Sequence, residues 1–144
     1  MAETAPGPRE LHCVVVSPER ALLDEPADFI ALPLYDGELG VLPGRAPLIG
    51  RLGCGELRIR RGDTTQRFYV DGGFAQVRNN VVSVLTGRAV RAEEIDPAVA
   101  RQALEDSRRA APTPEAQEAR LKSQERARSQ LRVARHARGE HAHG

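Results

Sequence analysis

Long apolar runs, aromatic bulk and an excess of one charge are all missing from this sequence, and each absence removes a class of answer. No apolar stretch approaches the roughly 20 residues that a membrane-crossing helix needs, so direct membrane insertion is not expected. Lys and Arg number 21 against 20 Asp and Glu, a formal net charge of +1. With no field over the whole molecule, electrostatic recognition has to be local. Tryptophan is absent and aromatics make up 3% of the chain, too little to supply the stacking platforms that hold nucleic acid, which is not expected as a partner. The two cysteines, Cys13 and Cys54, lie far apart in apolar surroundings without metal-ligand spacing. They read as reduced, buried small hydrophobes. The start, Met1 to Glu10, is polar and lacks a signal-peptide core, so a soluble cytoplasmic protein with a disordered segment over 1–9 is expected.

Catalytic constellations are missing as well. No Gly-x-Ser-x-Gly elbow surrounds Ser17, Ser83, Ser107, Ser123 or Ser129. His12 adjoins Cys13, but strand alternation sends neighbouring side chains to opposite faces. His136, His141 and His143 fall near the end of the chain and read as part of a frayed, solvated tail rather than a metal site. Gly50, Gly53 and Gly55 flank Cys54 without the lysine of a phosphate loop, and read as bends. The chain is not expected to be an enzyme or to hold a cofactor.

What is present changes character near residue 90. Before it, short β-branched runs alternate with turn signals: Leu11–Val16, Asp28–Leu34, Glu56–Arg61, Thr64–Val70, Phe74–Arg78 and Val81–Leu85. Asp36-Gly37, Gly62-Asp63, Asp71-Gly72-Gly73 and Asn79-Asn80 punctuate them, as in a sandwich or barrel over 10–90. In Glu56–Arg61, Leu57 and Ile59 alternate with Glu56, Arg58 and Arg60, the pattern of a half-solvated antiparallel strand. After Arg91, Ala, Arg, Glu and Gln dominate, so 91–138 reads as helical, followed by a disordered tail over 139–144. Asp96-Pro97 and Thr113-Pro114 are two cap-then-proline signals, predicting one helix to about Ala111 and a second to about Arg138 in an antiparallel hairpin.

Small residues line that hairpin: Ala100, Ala103, Leu104 and Ser107 on the first helix; Ala116, Ala119, Ser123, Ala127, Gln130, Ala134 and Ala137 on the second. An alanine methyl gains about 0.8 kcal/mol on burial where leucine gives roughly 1.5–3, so the hairpin reads either as a plain soluble, alanine-rich pair of helices or as one held weakly enough to open and be captured by a partner. Arg120, Lys122, Arg126, Arg128, Arg132, Arg135 and Arg138 face only Glu125 between residues 120 and 138. Such a stripe is either a solvated face or a docking surface for an acidic partner, as in a stand-alone binding module.

Between the strands runs Pro33-Leu34-Tyr35-Asp36-Gly37-Glu38-Leu39-Gly40-Val41-Leu42-Pro43-Gly44-Arg45-Ala46-Pro47-Leu48, read as a stiff, apolar loop that is tucked against the sandwich or meets a partner. From Asp36 to Leu48 it is similar to the signature of F-type ATP synthase epsilon subunits, with Arg45 where the family usually has histidine. Gly55–Ile59, Asp71–Phe74, Asn79–Leu85 and Arg91–Asp96 follow in family order, and the resemblance covers residues 10 to 138. It implies a ten-stranded β-sandwich and a helical hairpin in a rotating, non-catalytic subunit that couples a proton-driven ring of c subunits through gamma to ATP synthesis. It implies peripheral attachment at the cytoplasmic face of the bacterial plasma membrane. It implies contacts with the ring and gamma through Asp36, Glu38, Leu39, Pro43 and Arg45. Contacts with the alpha/beta head would pass through Arg120, Lys122, Arg126, Arg128 and Arg132, in a tail that inhibits ATP hydrolysis. Some members hold ATP on a motif that here falls on Ile95, Asp96 and Ala100. Val99 stands at the motif's arginine, removing a charge-assisted bond worth about 1.5–3 kcal/mol.

Overall fold

The computed structural model describes residues 9–108 and 113–137. Ten strands come first: β1 (Leu11–Val16), β2 (Ala21–Ala27), β3 (Phe29–Leu34), β4 (Gly37–Val41), β5 (Leu48–Arg51), β6 (Cys54–Arg61), β7 (Thr64–Asp71), β8 (Phe74–Arg78), β9 (Val81–Leu85) and β10 (Ala89–Arg91). A single 3-10 turn, Ala92–Glu94, leads to α1 (Pro97–Asp106) and α2 (Pro114–Ala137).

The strands form two five-stranded sheets, in orders β2-β1-β9-β8-β5 and β10-β7-β6-β3-β4. Every pairing is antiparallel except β1 with β9, which run parallel. Alternation drives the stacking. In β1, Leu11, Cys13 and Val15 are fully buried while His12, Val14 and Val16 stay on the outer face. They meet Ile30, Leu32, Val41, Leu57, Ile59, Phe68, Val70, Val77, Val82 and Val84 in one core between the sheets. Burial pushes the Cys13 thiol up to about 12, with Glu25 and Asp24 adding to the shift. The β8–β9 hairpin turns on Asn79 and Asn80 at φ 51° and 64°, a conformation that Asn tolerates. Pro26 sits in β2, at a sheet edge where its missing N–H costs no ladder bond.

Several expectations are corrected. The segment 33–48 is not one loop: it holds the end of β3, all of β4 and the start of β5, leaving Tyr35-Asp36 as a hairpin turn and 42–47 as the connection. Gly50 and Gly55 lie in strands and mark close approach rather than bends, since a Cβ would come within 2.9 Å of Leu34 Cδ2 at the first and 3.1 Å of Pro33 Cβ at the second. Cys54 is half-buried, not buried. Glu56 is not solvated but buried, because α2 covers that face of β6.

Asp96 caps α1 by accepting from the Ala98 N–H at 2.9 Å, and Thr113 caps α2 by accepting from Ala116 at 3.0 Å. The helices run antiparallel: Arg120 donates to the Ser107 carbonyl at one end, while Ala98 and Arg135 line one cleft at the other. The expected endings at Ala111 and Arg138 lie outside the described residues, as do the segment 1–8, the tail 139–144, His141 and His143. His136 is no frayed residue; it is in the last turn of α2, against the sandwich.

Candidate functional site

Three surfaces carry the residues that chemistry could use. The first is the β3–β4 hairpin with the connection after it. Asp36 is exposed at the turn, Leu39 packs inward on the core, Pro43 is half-buried, and Arg45 is exposed on a turn closed by its own N–H to the Leu42 carbonyl. Glu38 lies on the outer face of the second sheet, where Arg58 reaches it with two N–H groups, Nη1 to Oε2 at 3.0 Å and Nη2 to Oε1 at 3.4 Å. The Asn80 side-chain oxygen accepts from the Gly44 N–H at 2.8 Å, tying the connection to the β8–β9 turn. Tyr35 and Leu42 stand 70% and 58% exposed beside these charges.

The second surface is the outer face of the first sheet. Arg51, Phe74, Leu85 and Val16 are cross-strand neighbours in one row, and Ile49, Gln76, Ser83 and Val14 form the next. Ile49, Phe74 and Leu85 are 74%, 57% and 56% exposed, a concentration of bare apolar area that sheets normally cover. No described helix packs on this face.

The third surface is the tail, docked on the outer face of the second sheet. Arg126, Ser129, Val133, His136 and Ala137 fall on one face of α2 at the helical repeat. Val133 packs on Tyr69 and Ala92, with Cys54, Ile95 and Ala137 around them. Arg126 Nε meets Asp71 at 2.8 Å, Ser129 Oγ donates to the Cys54 carbonyl at 3.1 Å, and His136 Nδ1 donates to Glu56 at 2.8 Å. Beneath the helix, Cys54 Sγ and Tyr69 Oη lie 3.0 Å apart. Burial raises the pKa of both groups above its ordinary value and so keeps each protonated; for Cys54 the bonds to Tyr69 and Ser129 oppose the shift in part. The adjoining face of α2 buries Ala127 and Ala134 toward α1, whereas Ala119 and Ser123 are exposed, so the small-residue seam closes only over the C-terminal half.

Among the basic residues proposed to meet a partner, three have internal bonds: Arg120 to the Ser107 carbonyl, Lys122 to Glu118 and Arg126 to Asp71. Arg128 and Arg132 are exposed on the remaining arc. The sequence reading missed Asp71, Glu56 and the exposed apolar trio. The spacing of 126, 129, 133, 136 and 137 was the available signal for a second docking face on α2.

The nucleotide motif does not fit a nucleotide here. Asp96 is engaged as the α1 cap, Ile95 packs against the Tyr69 cluster, and Ala100 is buried. Val99, at the motif's cationic position, is 65% exposed and carries no charge. The cleft between the helices, about 570 Å³, is lined instead by Pro97, Arg101, Gln102, Leu104, Leu131 and Arg135 among others. His12 bonds Asp24 on the outer face while Cys13 enters the core, so the two do not meet as nucleophile and base.

Comparison with known proteins agrees with this architecture. Residues 10–92 match the family model described as ATP synthase, Delta/Epsilon chain, beta-sandwich domain. The ATP synthase epsilon chain of Rhodopirellula baltica is 50% identical over 126 residues, 87% of this chain and 98% of that protein. That of Carboxydothermus hydrogenoformans is 45% identical over 94 residues, 65% of this chain and 70% of that protein. Among solved structures, a chain of the Euglena gracilis mitochondrial ATP synthase (OSCP/F1/c-ring) aligns with TM-score 0.79 at 26% identity, covering 89% of this chain and 82% of its own. A chain from the Tetrahymena thermophila mitochondrial ATP synthase central stalk and c-ring aligns with TM-score 0.69 at 15% identity, covering 91% and 99%, and supports the fold alone. With the family model spanning more than half of the sequence and a relative half identical along nearly its whole length, this chain belongs to the ATP synthase epsilon-chain family, whose members are stalk subunits rather than catalytic ones.

Proposed function

We propose that this chain works in the rotor of a bacterial ATP synthase, held peripherally at the cytoplasmic face of the plasma membrane. No helix among the described residues is long and apolar enough to cross a membrane. Its attachment is therefore assigned to protein partners. The bare face bearing Ile49, Phe74 and Leu85 docks on gamma. The β3–β4 hairpin, with Asp36, Glu38, Leu39, Pro43 and Arg45, rests on the ring of c subunits. In the lifted state of the tail, Arg120, Lys122, Arg126, Arg128 and Arg132 engage acidic surfaces of the alpha/beta head and slow ATP hydrolysis.

The single observation that carries this reading is the asymmetry of the sandwich. One outer face is covered by the chain's own helix, and the other leaves three large apolar side chains more than half exposed. An interface with a buried apolar centre and a polar rim, here Arg51 and Gln76, is what a permanent subunit contact requires.

The test uses catalytic head stripped of its epsilon chain. Wild-type protein should bind gamma and lower ATP hydrolysis. Phe74→Glu with Leu85→Glu should lose binding while keeping the wild-type melting temperature. Arg128→Glu with Arg132→Glu should bind normally and inhibit less. If the wild-type chain binds no gamma but binds polyanions in a salt-dependent way, the stalk role is wrong and the stand-alone binding module replaces it.

A further inference from the structure

Four charged or hydrogen-bonding side chains form an unbroken row across the outer face of the second sheet. His136 Nδ1 of α2 donates to Glu56 Oε2 at 2.8 Å. The other Glu56 oxygen, Oε1, lies 3.4 Å from Arg58 Nη1. The same Nη1 lies 3.0 Å from Glu38 Oε2, and Nη2 lies 3.4 Å from Glu38 Oε1. One end of the row is the buried attachment of the tail and the other is the exposed edge strand β4: the Glu56 side chain is 8% exposed and that of Glu38 51%. Other charges border it: Arg132 and Arg135 on α2 itself, Arg67 beside Arg58 in the ladder, and Glu93 and Glu94 in the turn that packs against α2.

We infer that this row couples whatever engages Glu38 to the release of the tail, with Arg58 as the shared element. A guanidinium divided between two carboxylates gives each of them part of its charge. A partner that draws Glu38 away, through a cation or N–H donors of its own, leaves Arg58 to close on Glu56. Glu56 then has its charge met from the strand side and holds the His136 N–H less strongly. The C-terminal turn of α2 loosens. Linkage makes the effect reciprocal: lifting α2 leaves Glu56 to Arg58 and sets Glu38 freer for a partner. Engagement at the β4 edge and undocking therefore favour each other. The coupling is an internal property of the chain and does not depend on the stalk reading; that reading only says what uses it.

Cys54 reports the docked state, because α2 bonds its carbonyl and packs beside its side chain, and Cys13, fully buried in the core, serves as the unreactive control. The experiment measures the rate of Cys54 alkylation in the full-length protein alone, with no gamma or ring present. Glu38→Gln should raise it about two- to five-fold, the scale of one partly exposed ion pair. In an Arg58→Gln background, and separately in a His136→Gln background, the same Glu38→Gln change should have no effect, as a double-mutant cycle requires of coupled residues. Equal rates for wild type and Glu38→Gln would overturn the inference. So would an equal rise in all three backgrounds, which would trace the effect to β4 rather than to the row. Two backgrounds keep the test decisive if one variant folds poorly, and urea midpoints identify that case. Failure to bind gamma would sink the stalk reading and leave this coupling standing.

Discussion

Shortening Val133 should undock the tail without weakening the sandwich. Val133 is 1% exposed and packs on Tyr69 and Ala92, while the core between the sheets is a separate cluster in which it takes no part. Val133→Ala removes two methyl groups, about 1.6 kcal/mol of transfer free energy. The gap left against the Tyr69 ring brings the loss to about 2 kcal/mol. Because the contact exists only when α2 is down, that loss falls on the docking equilibrium and shifts it about 30-fold toward the lifted state. Alkylation of Cys54 and amide exchange along β6 and β7 read the shift directly, and a urea melt followed on the sandwich should keep its midpoint. Leu121→Ala, at a site already 51% exposed, is the matched control and should change neither. Labelling that stays within threefold of wild type, or a urea midpoint that falls in parallel with faster labelling, would refute the separation of docking from folding.

Three further outcomes follow from the geometry. Asp71→Asn should lift the tail modestly, by at most about 1 kcal/mol since Arg126 is half exposed; swapping the charges with Asp71→Arg and Arg126→Asp should restore Cys54 protection. Gly73→Ala should prevent folding or cost at least about 4 kcal/mol in a thermal melt, because φ is +107° and the new Cβ would lie 2.0 Å from the Leu85 carbonyl oxygen. The buried Cys13 thiol, raised to about 12 from an ordinary 9.0, favours the folded state fully below pH 9. That contribution is lost as pH climbs toward 12, at about 1.4 kcal/mol per unit. Urea midpoints of wild type should therefore fall more steeply above pH 9 than those of Cys13→Val, and parallel slopes would contradict the buried-thiol account.

Strands whose pattern answers to a single buried face were legible: β1, β8 and β9 stand where the alternation of Leu11–Val16, Phe74–Arg78 and Val81–Leu85 puts them, and Asn79-Asn80 marks their hairpin. Both helix starts were legible too, since Asp96-Pro97 and Thr113-Pro114 carry local cap chemistry. What escaped depends on distant partners. β4 and β5 hide in a Gly- and Pro-rich stretch because their ladders, to β3 and β8, supply order that local propensity does not. Glu56 alternates as a solvated residue would, and only the arrival of α2 from the far end of the chain buries it. The same arrival turns His136 from an apparent tail residue into an attachment point. The apolar trio escaped for the opposite reason. Phe74 and Leu85 read as ordinary strand residues until the sheet order leaves their face bare.

The lone parallel pairing among the described strands, β1 alongside β9, bears on how the chain comes together in time. His12 meets Val81 and Val16 meets Leu85, so the first strand must wait for nearly the last one before its sheet can close. The β6–β7 and β8–β9 hairpins join neighbours and can form within microseconds, whereas the return of β1 carries the loop-closure cost of most of the sandwich. Closure of the first sheet is therefore expected to be the slow step of folding, on the millisecond-to-second scale of non-local β topologies. The platform under α2 is built from the fast β6–β7 hairpin on the opposite side. Tail docking and sheet closure are therefore kinetically separable events: a chain caught halfway has a seat for its helix before its first sheet is complete.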